Sequence, residues 1–319
     1  MDGLADSPAA ASRLAARIAD RVEQALVGKR DVVELAVATL FAGGHLLVED
    51  VPGVGKTTLA RALAASVGVG FRRVQFTSDL LPADVLGGNV YDPRTGAFAF
   101  HRGPVFTHVL LADEINRASP RTQSALLEAM DERQVSIDGT THPLEEPFFV
   151  VATQNPEEFH GTHPLPESQL DRFLLRVRIG YPPEEVERGL LRERRGSRPL
   201  SVEPVTDRQT LLAALRAVEA VHVAEPALAY LHAIVLGTRR SPRIELGAST
   251  RAALSLERAA RALALVRGRD HVLPDDVQDL VEPVLAHRLR VAGAFEPTHE
   301  RREAAGILRE LVSTVPVPL

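Results

Sequence analysis

The sequence predicts an α/β fold in which a parallel sheet with flanking helices precedes a smaller all-helical domain. Short apolar runs alternate with helical patterns over roughly the first 180 residues, as expected for strands and helices arranged in βαβ units. After Tyr181-Pro182-Pro183 only helical patterns follow. We therefore expect two domains, over residues 1–182 and 183–319.

The composition is that of a globular protein and excludes several classes. The chain has 319 residues, of which 45% are hydrophobic and 25% charged, and its formal net charge is −5. This balance does not indicate a nucleic-acid or acidic-membrane binder. The absence of cysteine excludes disulfides and thiolate metal sites. Because no signal-peptide pattern or membrane-spanning stretch is present, we expect a cytoplasmic protein.

Apolar runs and capping residues place the individual elements. The run Val105–Leu111 is continuous and apolar, as expected of a strand that is buried on both faces of a sheet. The other expected strands are His45–Glu49, Phe71–Phe76, Phe148–Ala152 and Phe173–Ile179. Capping signals predict helices over about Lys56–Ser66, from Ser119-Pro120 to about Asp131, from the pair Thr206 and Gln209, from Ser249 to Gly268, and from Pro274.

A phosphate-binding loop is predicted at Asp50–Thr57, between a strand and a helix. Its glycines allow backbone N–H groups to surround a phosphate, and the helix N-terminus adds partial positive charge. We expect Lys56 to bridge the β- and γ-phosphates and the Thr57 hydroxyl to bind Mg²⁺. Asp50 stands where the usual pattern begins with glycine, and we expect it mainly to shape the loop. The expected nucleotide-binding residues of this loop are Pro52, Gly53, Val54, Gly55, Lys56, Thr57 and Thr58.

The second half of a nucleotide site is predicted where the apolar run ends in two acids, Asp113 and Glu114. Asp113 at the carboxyl end of the strand would hold the Mg²⁺ shell, and Glu114 would orient or deprotonate the attacking water. Together with the phosphate loop, this run predicts binding of ATP or GTP.

Several phrases between Val22 and Val291 resemble the MoxR family of AAA+ ATPases. The phrases are Val27–Lys29, Gly43–Leu47, Val51–Thr57, Leu111–Ala118 and Ala152–Pro156. The resemblance implies a P-loop AAA+ core with a helical lid, and ATP and Mg²⁺ as cofactors. It also implies that Asn155 positions the attacking water as "sensor 1" and that Val27 and Gly28 line the adenine pocket.

Two arginines acquire roles from the same resemblance. Arg172, in the segment Leu165–Phe173, matches the arginine finger, which reaches the γ-phosphate held by a neighbouring subunit. Arg251, in Gly247–Arg251, matches the "sensor 2" arginine of the lid. A finger acting between subunits makes assembly part of the mechanism, so we expect a ring, with a hexamer as the expected size. Whether Arg251 acts within its own subunit or on a neighbour stays open at this point.

The resemblance also explains two insertions as hairpins. Leu86–Pro104, built around Asp92–Gly96, matches a helix-2 insert. Gln134–Pro147, with Asp138-Gly139 as the turn, matches a pre-sensor-1 hairpin. In related rings both hairpins face the central channel or its rim.

The function implied is chaperone-like remodelling of a client protein complex, with a partner that carries a von Willebrand factor A domain. A chelatase-type motor is the nearest alternative. A DNA-translocating motor should have basic hairpins. Residues 134–142 hold no lysine or arginine and include one acid, and the first hairpin contains Arg94 and Arg102 against Asp92, which is not a basic stripe. A nucleotide switch without turnover is disfavoured because Glu114, Asn155 and Arg172 are all present.

Overall fold

The centre of the computed structural model, which describes residues 5–155, 161–193, 202–293 and 297–318, is a five-stranded sheet. The strands of the chain are β1 (Leu46–Glu49), β2 (Phe71–Gln75), β3 (Gly87–Asp92), β4 (Ala97–Arg102), β5 (Val109–Asp113), β6 (Gln134–Ile137), β7 (Thr140–Pro143), β8 (Phe149–Gln154), β9 (Leu175–Val177), β10 (Ile244–Leu246) and β11 (Arg290–Val291). The central sheet has the order β2-β5-β8-β1-β9, and all its neighbouring strands are parallel.

Helices cover both faces of this sheet. They are α1 (Pro8–Glu23), α2 (Arg30–Phe41), α3 (Lys56–Ser66), α4 (Pro82–Leu86), α5 (Pro120–Glu132), α6 (Glu167–Leu170), α7 (Glu184–Glu193), α8 (Arg208–Ala217), α9 (Glu225–Arg240), α10 (Thr250–Val266), α11 (Pro274–Leu285) and α12 (Pro297–Thr314). Successive residues of a strand point to opposite faces. Accordingly Leu46 and Val48 join the cluster under α1–α3, whereas Leu47 joins the cluster under α4 and α5.

The C-terminal helices form a lid that packs onto the sheet from one side. Helices α1 and α2 contact α8 and α10, and α11 contacts the outer strand β9. Buried residues of α1–α3 and of α8–α12 therefore belong to one hydrophobic cluster. The division at residues 182 and 183 stays a prediction. Among the described residues, no helix is both long and apolar enough to cross a membrane.

Both expected hairpins are present, and they contact each other. Strands β3 and β4 pair antiparallel, as do β6 and β7. Asp138 and Gly139 have φ of 49° and 79°, as a two-residue hairpin turn of type I′ requires. The Asn89 amide donates to Asp138 at 2.7 Å, and the Phe100 and His142 rings stack with centroids 3.9 Å apart. The two insertions are thus joined by polar and ring contacts.

Two of the expected strands begin two or more residues later in the structure than predicted. The strand predicted from Val105 begins at Val109, because its partner β2 begins at Phe71, opposite Val109. The N–H of Val105 instead donates to the Val85 carbonyl at 3.1 Å. The strand expected at Phe173–Ile179 is only Leu175–Val177 (β9), because it pairs with three residues of β1.

The expected helix starts are confirmed at Lys56, Ser119, Ser249 and Pro274, with one correction in the lid. Asp207, and not Thr206, is the N-cap of α8. Its carboxylate accepts the Thr210 N–H at 2.9 Å, and aspartate is among the strongest capping residues.

Candidate functional site

The phosphate loop connects β1 to α3, as the sequence predicts. Gly53 and Gly55 have φ of 86° and 104°, a left-handed conformation that glycine adopts without strain. A Cβ placed on Gly53 would meet no atom within 4 Å, so space is present next to the loop. Helix α3 begins at Lys56, which places Thr57 and Thr58 in its first turn, where N–H groups have no acceptor within the helix.

Lys56 lies between the carboxyl ends of two neighbouring strands. Its Nζ donates to the carbonyl of Asp50, after β1, and to the carbonyl of Gln154 in β8 at 3.2 Å. These carbonyls hold the ammonium beside the loop. Phosphate oxygens of a nucleotide would compete with them for the same donor.

Asp113 ends β5 and is 8% exposed. Its Oδ1 accepts the Thr153 hydroxyl at 2.5 Å, and its Oδ2 accepts Arg73 through Nε at 3.0 Å and Nη2 at 2.6 Å. Thr153 lies on β8 and Arg73 on β2. Both strands that flank β5 therefore fix this carboxylate.

Glu114 follows directly with φ of 57°, a left-handed conformation that is uncommon for a residue other than glycine. Its N–H donates to the Thr153 hydroxyl at 2.9 Å, and its carboxylate accepts Arg117 Nη1 at 2.8 Å. The Thr153 hydroxyl thus donates to the side chain of Asp113 and accepts from the backbone of Glu114. Asn155, just after β8, is 7% exposed.

Because β1, β8 and β5 are adjacent and parallel, their carboxyl ends bring the loop, Asn155 and the two acids to one edge of the sheet. We call this the carboxyl edge. The Thr57 hydroxyl and the Asp113 carboxylate are oxygen donors of the kind that Mg²⁺ prefers. Among the described residues no three His, Cys, Asp or Glu side chains converge on one point.

The expected adenine-pocket residues lie in the loop between α1 and α2. Gly28 has φ of 76°, and a Cβ on it would lie 3.1 Å from Pro183 Cγ. The neighbouring Lys29 donates from Nζ to the Tyr181 carbonyl at 2.7 Å. Val27 is 41% exposed. This loop therefore packs against the segment that leads from β9 into α7.

Arg172 and Arg251 lie together, at the opposite edge of the sheet. Arg172 pairs with the Asp131 carboxylate and donates to the Leu127 carbonyl at 3.2 Å. Arg251 donates from Nη2 to the same carboxylate at 3.1 Å. The end of α5 that carries Asp131 is fixed next to the start of β1, because His45 Nε2 lies 3.3 Å from the Met130 carbonyl. We call the surface formed by Asp131, Arg172 and Arg251 the amino edge.

Two further arginines, Arg288 and Arg258, lie near the amino edge. Arg288 donates to Asp171 at 2.6 Å, and Arg251 Nε lies 3.8 Å from the other oxygen of Asp171. Burial lowers the pKa of Arg258, and the positive charges of Arg133 and Arg251 lower it further.

Sequence reasoning did not identify Arg73, Thr153 or Asp131. Thr153 lies inside the phrase Ala152–Pro156, but only the order of the strands shows that its hydroxyl contacts Asp113 and Glu114. Arg73 is one of two charged residues on β2, and its role depends on β2 lying next to β5. No pattern in the sequence points to Asp131.

Comparisons with known proteins agree with this architecture. Residues 45–175 match the model of the "ATPase family associated with various cellular activities (AAA)", and residues 236–311 match an AAA lid domain. The chain is 46% identical over 307 residues to the uncharacterized protein YeaC of Bacillus subtilis, with 96% of this chain and 95% of that protein covered. It is 40% identical to Chaperone MoxR1 of Mycobacterium tuberculosis, over 93% of this chain and 80% of that protein.

A solved structure shows the same fold. The crystal structure of an ATPase candidate from Cytophaga hutchinsonii superposes with a TM-score of 0.86 at 35% identity, over 97% of this chain and 96% of that one. The chain thus combines a P-loop core and a helical lid with near full-length similarity to proteins named MoxR. It belongs to the MoxR family of AAA+ ATPases.

Proposed function

We propose that the chain hydrolyses ATP with Mg²⁺ at the contact between neighbouring copies in a ring. The observation that carries this proposal is the separation of the two edges. Lys56 lies where β1 ends, and Arg172 lies beside the region where β1 begins. A strand of four residues spans about 13 Å, so Arg172 does not serve the loop of its own subunit and is available to a neighbour.

Each residue of the carboxyl edge has a separate role in the proposed reaction. Backbone N–H groups of Pro52–Thr58, apart from the proline, surround the phosphates, and Lys56 neutralises the β- and γ-phosphates. Thr57 and Asp113 would hold Mg²⁺, which supplies charge neutralisation on the phosphates. Glu114 accepts the proton of the attacking water, Asn155 orients that water, and Val27 and Gly28 contact the adenine.

The amino edge completes the site of the next subunit. Arg172 and Arg251 share one carboxylate, so both are presented on the same surface and both act on the neighbour. Their guanidinium groups would stabilise the charge that develops on the γ-phosphate. Assembly in a hexameric ring would then be required for turnover.

A complementation experiment tests this arrangement. Lys56→Ala removes the phosphate lysine but keeps the finger, whereas Arg172→Ala removes the finger but keeps the loop. Each variant alone should lose at least about 100-fold in turnover, and mixing the two should restore activity because a Lys56→Ala subunit supplies Arg172 to its neighbour. The matched control mixes Arg172→Ala with the double variant, which supplies no finger. Equal activity in both mixtures would contradict action between subunits.

The work done by hydrolysis is proposed to be remodelling of a client complex in the cytoplasm, in conjunction with a von Willebrand factor A domain protein. Support comes from the likeness to a protein named a chaperone. The test is stimulation of ATP turnover by the purified partner. Stimulation of ATP turnover by oligonucleotides near physiological salt would instead favour a DNA-translocating motor. Metal-dependent stimulation by a chelatase subunit would favour a chelatase-type motor.

A further inference from the structure

The carboxylate of Asp50 joins the phosphate loop to the segment that follows β9. Its Oδ1 accepts the N–H of Val51 at 2.9 Å, and its Oδ2 accepts the N–H groups of Ile179 at 2.7 Å and Gly180 at 2.6 Å. The residue is only 9% exposed. A buried carboxylate is tolerated when hydrogen-bond donors surround it, and here three backbone donors do so.

The backbone of Asp50 contacts Lys56, the expected phosphate-binding lysine. Its carbonyl accepts the Nζ of Lys56, the donor for which phosphate oxygens compete. A change at Lys56 on nucleotide binding therefore acts on the residue whose side chain holds Ile179 and Gly180. Glycine, the usual residue at this position, has no side chain that could make this connection.

The segment that Asp50 holds leads directly to the lid side of the chain. Gly180 has φ of 65°, which allows a change of direction that other residues resist. The next residue, Tyr181, accepts Lys29 through its carbonyl at 2.7 Å, and Pro183 packs against Gly28. Residues 179–183 are thus attached to the phosphate loop at one end and to the expected adenine loop at the other.

We propose that Asp50 is a positioning residue that transmits occupancy of the phosphate loop to residues 179–183, and through them to the start of α7. This proposal rests on the proposed nucleotide site. It assigns to Asp50 a role beyond loop shape, and it explains why the chain carries a carboxylate where glycine alone would complete the phosphate-binding pattern.

Three variants of the full-length protein test the proposal. Asp50→Gly restores the usual loop residue and removes the connection. Asp50→Asn keeps one side-chain oxygen that can accept the N–H groups of Ile179 and Gly180. Asp207→Asn is the matched control, because its carboxylate also accepts a backbone N–H but caps α8 in the lid. For each we would measure affinity for ADP and a non-hydrolysable ATP analogue, kcat, and hydrogen exchange of residues 177–186 with and without nucleotide.

We expect Asp50→Gly to bind nucleotide within about threefold of wild type but to lose about tenfold in kcat. Its residues 177–186 should exchange faster and should no longer respond to nucleotide. Asp50→Asn should retain most of both properties, and Asp207→Asn should retain the nucleotide response in full. A merely stabilising role would lower the melting temperature of Asp50→Gly without removing that response.

Two results would overturn the proposal. One is an Asp50→Gly protein whose residues 177–186 still respond to nucleotide as in wild type. The other is an Asp50→Gly protein that loses nucleotide affinity in parallel with kcat, because Asp50 would then belong to the phosphate loop alone. A wild-type protein that binds nucleotide without hydrolysing it would contradict the proposed function only, since the exchange experiment requires bound nucleotide and no turnover.

Discussion

At the carboxyl edge of the sheet, the candidate nucleotide residues are placed by backbone geometry, whereas at the amino edge the two arginines are placed by side-chain ion pairs. Gly53, Gly55 and Glu114 all adopt left-handed backbone conformations, which fix the loop and the acids within a few residues of the strand ends. Arg172 and Arg251 come from segments far apart in the chain and meet on Asp131.

The residues of the two edges are therefore held in place by different parts of the structure. The phosphate loop and the two acids of the carboxyl edge are held within one subunit by strand ends and tight turns. A surface held by a shared carboxylate depends on the docking of the lid against α5, because Arg251 belongs to α10 and Asp131 to α5. Variants at the two edges should therefore fail in different ways.

The largest effect is expected at the carboxyl edge, from Glu114→Gln. The amide has the shape of the carboxylate but cannot accept a proton, so turnover should fall about 10³-fold while nucleotide binding persists. Steady-state ATP hydrolysis and fluorescent-nucleotide binding measure the two quantities. The control is Glu128→Gln, which neutralises an exposed acid on α5. Turnover within tenfold of wild type would refute the role of Glu114.

An intermediate effect is expected at the amino edge, from Asp131→Asn. Without the shared charge, Arg172 and Arg251 should repel each other, and kcat should fall about tenfold, equivalent to about 1.4 kcal/mol, with unchanged nucleotide affinity. Glu132→Gln provides a control one residue further along the chain. An increase in kcat would show instead that Asp131 restrains the arginines and keeps them from the neighbour's phosphate.

A smaller effect is expected from Thr153→Val, which tests how the carboxyl edge is held. The valine side chain fits the same space but leaves the Glu114 N–H without its acceptor, at a cost of about 1–2 kcal/mol in unfolding free energy. Turnover should fall severalfold because both acids lose a contact. Urea unfolding and ATP hydrolysis measure these changes, and Thr140→Val in the exposed hairpin turn region is the control. Unchanged turnover would mean that the neighbouring strands alone hold the acids.

The elements of the carboxyl edge could be predicted from the sequence because each is formed by residues that are contiguous in the chain. The phosphate loop, the start of α3 at Lys56 and the position of Asp113 at a strand end all follow from local patterns. The contacts of Arg73 and Thr153 depend on the strand order β2-β5-β8, which no local pattern encodes. The connection through Asp50 to Gly180 joins residues 130 positions apart, so a pattern of spacing could not show it.

The last prediction concerns stability rather than turnover, and it tests whether the amino edge is sensitive to acid. His45 Nδ1 accepts the Val150 N–H at 3.0 Å and Nε2 faces the Met130 carbonyl, next to Asp131. Burial lowers the pKa of His45 to about 4, and the positive charges of Arg133 and Arg258 lower it further. The Met130 carbonyl and the Asp131 carboxylate oppose this shift. The imidazole is therefore neutral in the folded protein at neutral pH.

The sign of the pH effect follows from this lowered pKa. An unfolded histidine titrates near 6.5, so between about pH 6.5 and pH 4 the unfolded chain binds a proton that the folded protein does not. Stability contributed by neutral His45 is complete above this range and is lost as the pH falls through it, by about 2 kcal/mol between pH 7.5 and pH 5. Urea unfolding across this range should show a smaller loss in His45→Gln than in wild type. The buried His287 and the partly buried His108, whose pKa values are lowered in the same direction, should contribute to the loss that remains. An identical pH dependence in both proteins would show that His45 is not the group that makes the amino edge acid-sensitive.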